Sequence, residues 1–132
     1  MSYDLYLMRF EAGEPAEIDT PEIWELLASA WEEPPDQHGF VRLVRGEGGA
    51  DVYAGQVGEP QDSVMINHFG GDEIMDLIVE LARRADAVII GPDLPPLLTR
   101  AEQGAQVPAD MDLGEPVLIA SGRELSETIA HG

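Results

Sequence analysis

Residues 1–10, MSYDLYLMRF, decide the fold because both faces of the strand that they predict are apolar. Successive side chains of a strand point to opposite faces of its sheet. One face carries Tyr3, Leu5 and Leu7, and the other carries Tyr6, Met8 and Phe10. A half-buried surface strand alternates apolar and polar residues instead. We therefore expect this strand inside a sheet, with something covering its second face.

Two segments predict helices. In the first, Thr20 is expected as the N-cap with Pro21 at the first helical position, and Pro34 stops the helix. Its apolar residues recur at helical spacing at Ile23, Trp24, Leu27, Ala30 and Trp31. The second helix follows Gly70 and Gly71, and Asp72 is expected to cap it. Its core-facing stripe is Ile74, Leu77, Ile78, Leu81 and Ala85.

Four further segments predict strands, at 40–44, 63–69, 87–90 and 116–121. Residues 51–54 are either another strand or part of an irregular excursion. The resulting order, βαββαβ, predicts an α+β fold of the ferredoxin-like type, an antiparallel sheet with two helices on one face. We expect one domain over 1–132, with a core at 1–96 and a C-terminal strand and helix extension at 97–132.

This topology leaves one sheet face open. Alternation places Met65, Asn67 and Phe69 on one face of their strand, and Val64, Ile66 and His68 on the other. The open face is expected to carry Tyr6, Met8 and Phe10 with either Met65, Asn67 and Phe69 or the opposite parity of that strand. We take Met65 and Asn67 as the candidates. An apolar patch of this size is large for a soluble monomer. Either strand 116–121 and the final helix cover it, or a second subunit does.

The charge is strongly acidic. The 132 residues include 26 Asp and Glu against 7 basic residues, all Arg, which gives a net charge of −19. Such a field repels nucleic acid and anionic membranes, and it attracts a basic protein partner. The candidate partner-binding residues are Glu22, Glu25, Glu32, Glu33 and Asp36.

Several classes of chemistry are absent from the sequence. No cysteine is present for disulfides or thiolate catalysis, and no lysine for a P-loop or a Schiff base. The motifs G-x-S-x-G and H-E-x-x-H do not occur. We expect no cofactor and no metal site. The start lacks a signal-peptide pattern and no run suits a membrane span, so a cytoplasmic location is expected.

His68 is the histidine placed best for chemistry. It ends a strand just before a helix N-terminus, and with Asp72 it predicts a polar pocket. The alternative is a strand-end histidine bonded to backbone or solvent. As an acid–base pair, His68 and Asp72 are the one enzymatic hypothesis, and the balance is against an enzyme. Asp4, within the apolar first strand, either is exposed at the strand start or bonds a loop.

The opening M-S-Y-D-L with a following aromatic residue resembles the start of many small proteins of high-GC bacteria. Residues 63–93 are similar to a later part of those proteins, although their turn Tyr-Asp-Pro-Gln is replaced here by Ile90-Gly91-Pro92-Asp93. Some of these proteins are immunity proteins that neutralise a secreted toxin. Many others have no known role, so the resemblance implies a compact α+β fold more than any activity.

Two functional hypotheses follow. The first is a small acidic binding protein, immunity-protein-like or an adaptor, that docks a basic protein partner. The alternative is a homodimer that pairs its open sheet faces and binds a small ligand. Partners are thus a basic protein or a second copy, with no nucleic acid and no membrane.

Overall fold

A computed structural model describes residues 4–18, 20–55, 61–108 and 114–131 of the chain. Within these residues the protein has three α-helices and a mixed sheet of eight strands. The predicted α+β class is therefore confirmed, although the sheet is larger than the simple βαββαβ arrangement. Tyr3, which the alternation assigned to a strand face, lies outside the described residues, as do the side chains of Thr20 and His131.

The elements follow in chain order. The strands are β1 (Leu5–Glu11), β2 (Glu14–Ala16), β3 (Phe40–Arg45), β4 (Gly48–Tyr53), β5 (Ser63–Gly70), β6 (Val88–Ile90), β7 (Leu97–Leu98) and β8 (Val117–Leu118). The α-helices are α1 (Thr20–Ala28), α2 (Asp72–Ala85) and α3 (Gly122–His131). A short 3-10 helix spans Ala101–Ala105.

The strand order is β3-β4-β5-β1-β6-β7-β8, and β2 pairs with β1 outside this path. Neighbouring strands are antiparallel except for β7 and β8, which are parallel. β1 lies between β5 and β6, so its predicted interior position is confirmed. Residues 51–53 form part of a strand, because β4 pairs with both β3 and β5.

The main core lies between the sheet and the helices. It includes Leu5, Leu7, Val41, Leu43, Val52, Val64, Ile66 and Ile89 from the strands. The predicted stripe of α2 is buried against them. Asp72 is the first residue of α2 and not its cap; the N-cap is Gly71, at φ 100°. A Cβ at Gly71 would lie 2.6 Å from the Cα of Gly48, so this close approach requires glycine.

α1 ends at Ala28, six residues before the proline that was expected to stop it. The backbone of residues 30–32 instead pairs with the outer edge of β3: Val44 N–H donates to Ala30 O at 2.9 Å, and Glu32 N–H donates to Arg42 O at 3.0 Å. These bonds satisfy an edge that would otherwise be open to other chains. The Trp24 and Trp31 rings pack against the core and meet each other edge to face, with centroids 6.5 Å apart.

The C-terminal extension does not cover the second sheet face in the way expected. β7 and β8 lengthen the sheet, and α3 packs against α2, where Leu125 joins the main core. A separate apolar cluster forms on the second face from Phe10, Val88 and Leu98, with Val107 packed against it. Among the described residues after the 3-10 helix, Val107 adds cover to this cluster, whereas Leu125 of α3 packs in the main core.

No helix in the described part of the chain is both long enough and apolar enough to cross a membrane.

Candidate functional site

The sheet surface facing away from α1 and α2, which we call the open face, carries an apolar row across five strands. The register pairs Phe40 with Tyr53, Tyr53 with Met65, Met65 with Tyr6, and Tyr6 with Ile90. Directly paired side chains on one face touch across the strands, so the row is continuous. Tyr6 and Tyr53 are each 37% exposed, and the rings of Phe40 and Tyr53 lie 5.0 Å apart.

The residues assigned to the open face from the sequence divide into two groups. Tyr6, Met8, Met65 and Asn67 lie on it and keep part of their surface exposed. Phe10 is 7% exposed, because Val88 and Leu98 pack against it. One end of the open face is therefore a small second core, and the apolar row is the part left uncovered.

A polar row runs beside the apolar row, where the register pairs Arg42 with Asp51 and Asp51 with Asn67. The Asp51 carboxylate accepts a hydrogen bond from Arg42 Nη1 at 3.0 Å. Its Oδ2 is hydrogen-bonded to His68 Nδ1 at 2.7 Å. Arg42 Nη1 also donates to the His68 carbonyl at 3.2 Å. The sheet thus holds a connected network of Arg42, Asp51 and His68 at its surface.

A β-bulge positions His68 in this network. The pairing shifts between Asp51↔Asn67 and Gly49↔Gly70, so β5 has one residue more than β4 there. His68 takes a φ of 50°, which few residues other than glycine adopt. The alternation predicted from sequence is wrong beyond Asn67, because the extra residue brings His68 to Asp51 on the open face and Phe69 to the core.

Arg42 needs a glycine beside it. A Cβ on Gly49 would lie 2.4 Å from Arg42 Nη2, so a larger residue would displace the guanidinium. The network therefore depends on a glycine, a bulge and a histidine in a strained conformation. Backbone strain of this kind concentrates at functional sites.

His68 and Asp72 lie in different surroundings in the structure. The imidazole is bonded to Asp51, whereas Asp72 lines an open cleft of about 250 Å³ between the start of α2 and the end of α3. Phe69, Met75 and Ile129 line the same cleft, and His68 does not. The structure therefore pairs His68 with Asp51 where the sequence analysis paired it with Asp72.

Three of the five acidic candidates meet at one end of the apolar row. Glu32, Glu33 and Asp36 line a shallow cavity of about 370 Å³ together with Phe40 and Arg42. We call these three residues the acidic cleft. The other two lie on α1, where the Glu22 carboxylate is 3.9 Å from Arg84 and Glu25 is exposed.

Asp36 also organises the turn into β3. Its Oδ1 accepts the N–H groups of His38 at 2.8 Å and Phe40 at 3.1 Å. These backbone hydrogen bonds lower the pKa of Asp36, because they favour the charged carboxylate. The acidic cleft therefore keeps this negative charge below the pH at which an ordinary aspartate is protonated.

Two side-chain oxygens at the open face are buried and find no hydrogen-bond donor in the described part of the chain: Asp4 Oδ1 and Asn67 Oδ1. Asp4 immediately precedes β1, and the pairs Leu5↔Ile66 and Tyr6↔Met65 continue to place it beside Asn67. Asp4 thus extends the polar row: it lies at the strand start and is partly exposed, and its Oδ1 bonds no loop among the described residues.

A further cavity of about 320 Å³ lies near the end of α2, lined by residues that include Arg9, Phe10 and Arg100. Asp86 at its rim is paired with Arg100, and it accepts a hydrogen bond from Gln103 Nε2 at 3.0 Å. Burial acts to raise the pKa of Asp86, but the hydrogen bonds from Arg100 and Gln103 outweigh it, so the pKa is lowered. The charge of Asp86 is therefore balanced by Arg100 within the chain.

Sequence reasoning missed Arg42, Asp51 and Tyr53, although a signal for them exists. The turn at Gly46 and Glu47 joins β3 to β4 through two residues, and a two-residue hairpin loop fixes the register of its strands. Counting outward from that turn pairs Arg42 with Asp51. The position of His68 has no comparable signal, because it depends on the bulge.

Among the described residues, no group of three or more His, Asp or Glu side chains is placed to hold a metal ion.

No family model matches the sequence, and neither a curated protein nor a solved structure is significantly similar to it. The geometry of the open face and the charge of the chain are therefore the features that bear on function.

Proposed function

We propose that this chain is a small acidic binding protein, in the manner of an immunity protein or an adaptor, that docks a basic protein partner on its open face. The observation that carries the proposal is the uncovered apolar row through Phe40, Tyr53 and Tyr6. Protein interfaces are enriched in tyrosine, phenylalanine, methionine and arginine, the residue types that the apolar row and its neighbour Arg42 present.

Charge favours a basic protein over a second copy as the occupant. Two copies each carry −19, so pairing their open faces brings like charges together. The acidic cleft adds negative charge at the Phe40 end of the apolar row. A basic partner gains from the same field, which speeds encounter and orients the partner on the surface.

We also propose that β4, β5, β1 and β6, with α1 and α2, form a ferredoxin-like unit to which the other strands are added. The strand order supports this, since α2 connects β5 to β6 across β1. In such a unit the helices lie on one face and the other face is free. The apolar row lies on that free face.

The test compares three forms of the full chain as bait in a lysate of the native host: wild type, Tyr53→Glu and Ala120→Glu. Tyr53→Glu puts a charge in the apolar row. Ala120→Glu adds the same charge at an exposed position between β8 and α3. Retained proteins are identified at about 50 and about 500 mM salt, a range over which exposed charge pairs are screened. The retained protein is then purified, and its affinity for each form is measured.

We expect wild type and Ala120→Glu to retain one basic protein at low salt. We expect this protein to be lost at high salt, and with Tyr53→Glu as bait at either salt concentration. Equal binding to Tyr53→Glu would contradict the open face as the docking surface. Binding that is indifferent to salt would contradict the role of charge. A stable dimer of the wild-type chain by light scattering, lost in Tyr53→Glu, would favour the homodimer instead.

A further inference from the structure

Two acceptor atoms of the open face lack a donor. Asp4 Oδ1 and Asn67 Oδ1 are both buried without a hydrogen bond within the described residues. A buried oxygen that has left water without gaining a donor is costly, and buried polar groups in folded proteins are rarely left so. Both residues are partly exposed as a whole, so a rotation about the terminal side-chain torsion brings either oxygen to a surface that a partner can reach.

The neighbouring charges do not supply the donor. Asp51 lies between Arg42 and Asn67 in the polar row, and its carboxylate is already bonded to Arg42 and His68. The arginine of this row is thus committed to Asp51, and Asp4 keeps an uncompensated negative charge at the other end. Among the described residues no ion pair joins Asp4 to an arginine.

The adjoining apolar row adds an aromatic surface. Tyr6 lies two residues along the chain from Asp4, on the same face of β1, and its side chain is partly exposed. A cation that reaches Asp4 and Asn67 therefore passes close to the Tyr6 ring, which attracts cations to its face. A guanidinium group fits best, because its planar fork donates to two oxygens at once.

We infer that the docked partner presents an arginine side chain to Asp4 and Asn67, beside the ring of Tyr6. This inference rests on the proposed function and adds the chemistry of the contact. It makes Asp4 and Asn67 specificity-determining residues: a partner that places an apolar or acidic group there leaves both acceptors unpaired. Asp51, already satisfied by its own network, is not part of this contact.

The direct test needs no natural partner. N-acetyl-arginine amide is titrated into the isotope-labelled full chain at low salt, and N-acetyl-citrulline amide, of similar shape but without charge, is the control ligand. We expect saturable shifts of the NMR signals of Asp4, Tyr6 and the Asn67 side-chain amide with the arginine probe only. Asp4→Asn abolishes them, whereas Glu124→Gln, which removes one charge from an exposed position on α3, leaves them unchanged.

Shifts spread over the acidic residues, or unchanged shifts in Asp4→Asn, would overturn the inference. A stable hydrogen bond from the Asn67 amide to the Asp4 carboxylate in the free chain, detected by NMR, would also overturn it. The two side chains would then satisfy each other. Asp4→Asn is expected to unfold at the same temperature as wild type or a higher one, because it removes a partly buried carboxylate that has no ion-pair partner. Weaker binding would therefore not reflect loss of folding.

The purified partner separates this inference from the proposed function. Asp4→Asn is expected to bind it about tenfold more weakly, the loss typical of one charged hydrogen bond. If Tyr53→Glu abolishes partner binding and Asp4→Asn does not affect it, docking on the open face stands and the arginine contact fails. If Tyr53→Glu has no effect, the docking proposal fails whatever the probe shows.

Discussion

At the residue scale, the most constrained polar group among the described residues is Gln103, which is 5% exposed. Its Oε1 accepts the N–H groups of Thr99 at 2.8 Å and Arg100 at 3.2 Å. Its Nε2 donates to Asp86 and to the Ala87 carbonyl. One side chain thereby joins the 3-10 helix to the end of α2. It holds in place the segment up to Val107, which packs against the Phe10 cluster.

Gln103→Ala is expected to destabilise the fold by about 3 kcal/mol, because one buried and several part-buried hydrogen bonds are lost together. Urea denaturation followed by circular dichroism measures this. Gln106→Ala is the matched control, since exposed Gln106 accepts a single bond from Ala12 N–H. Equal losses in the two variants would show that Gln103 does not hold this segment.

Two substitutions distinguish the backbone strain at His68 from the hydrogen bond that its side chain makes to Asp51. Both His68→Ala and His68→Gly remove the imidazole from Asp51, but glycine adopts the φ of 50° without penalty. We expect His68→Gly to be more stable than His68→Ala by roughly 1 kcal/mol, the cost of a left-handed residue. Thermal unfolding of both variants decides this, and identical midpoints would mean that the bulge relaxes in the variants.

Asp86 makes stability depend on pH at the acid end. Its pKa is lowered below the ordinary value of 3.8 in the folded chain, so its contribution is present above 3.8 and is lost as the pH falls through the lower folded value. Since Asp86 is partly exposed, we expect only about 1 kcal/mol between wild type and Asp86→Asn at pH 7. Denaturation at pH 7 and pH 3 should show the difference shrinking; a constant difference would contradict the assignment.

At the element scale, close backbone contact between β4 and the start of α2 determines how the helix leaves the sheet. A Cβ on Gly48 would lie 2.3 Å from the Gly70 carbonyl oxygen and 2.9 Å from the Gly71 Cα. Both are backbone atoms, so no side-chain rotation relieves the contact. This approach places α2 so that its apolar stripe meets the sheet and Gly71 caps its N-terminus.

Gly48→Ala is therefore expected to destabilise the protein by about 3 kcal/mol, the upper range for overpacking. Gly70→Ala is the control, because a Cβ at Gly70 meets nothing within 4 Å. Chemical denaturation of the two variants makes the comparison. A small effect at Gly48 would show that β4 and the helix start separate easily.

At the scale of the whole molecule, the charge of −19 opposes compactness as well as self-association. Salt is expected to stabilise the chain by screening this repulsion. The thermal midpoint should rise between about 20 and 500 mM NaCl, as the Debye length falls below the spacing of surface charges. KCl should act equally, since screening does not depend on which of these cations is present. A falling midpoint would mean that the arginine ion pairs outweigh the repulsion.

The sequence by itself determined the α+β class, the interior position of β1 and the buried stripe of α2, because each follows from local periodicity. Residues 5–10 are apolar on both sides, and Ile74, Leu77 and Ile78 repeat at helical spacing. These patterns depend on near neighbours in the chain. They therefore need no knowledge of how distant segments meet.

Tertiary structure alone decided the bulge at His68, the early end of α1 and the packing of α3 on α2. Each depends on contacts between segments far apart in sequence: His68 with Asp51, Ala30 with Val44, and Leu125 with the core. One inserted residue at a bulge reverses which side chains face the open surface, and alternation along a single strand cannot reveal the insertion. The candidate site is for that reason a property of the assembled sheet.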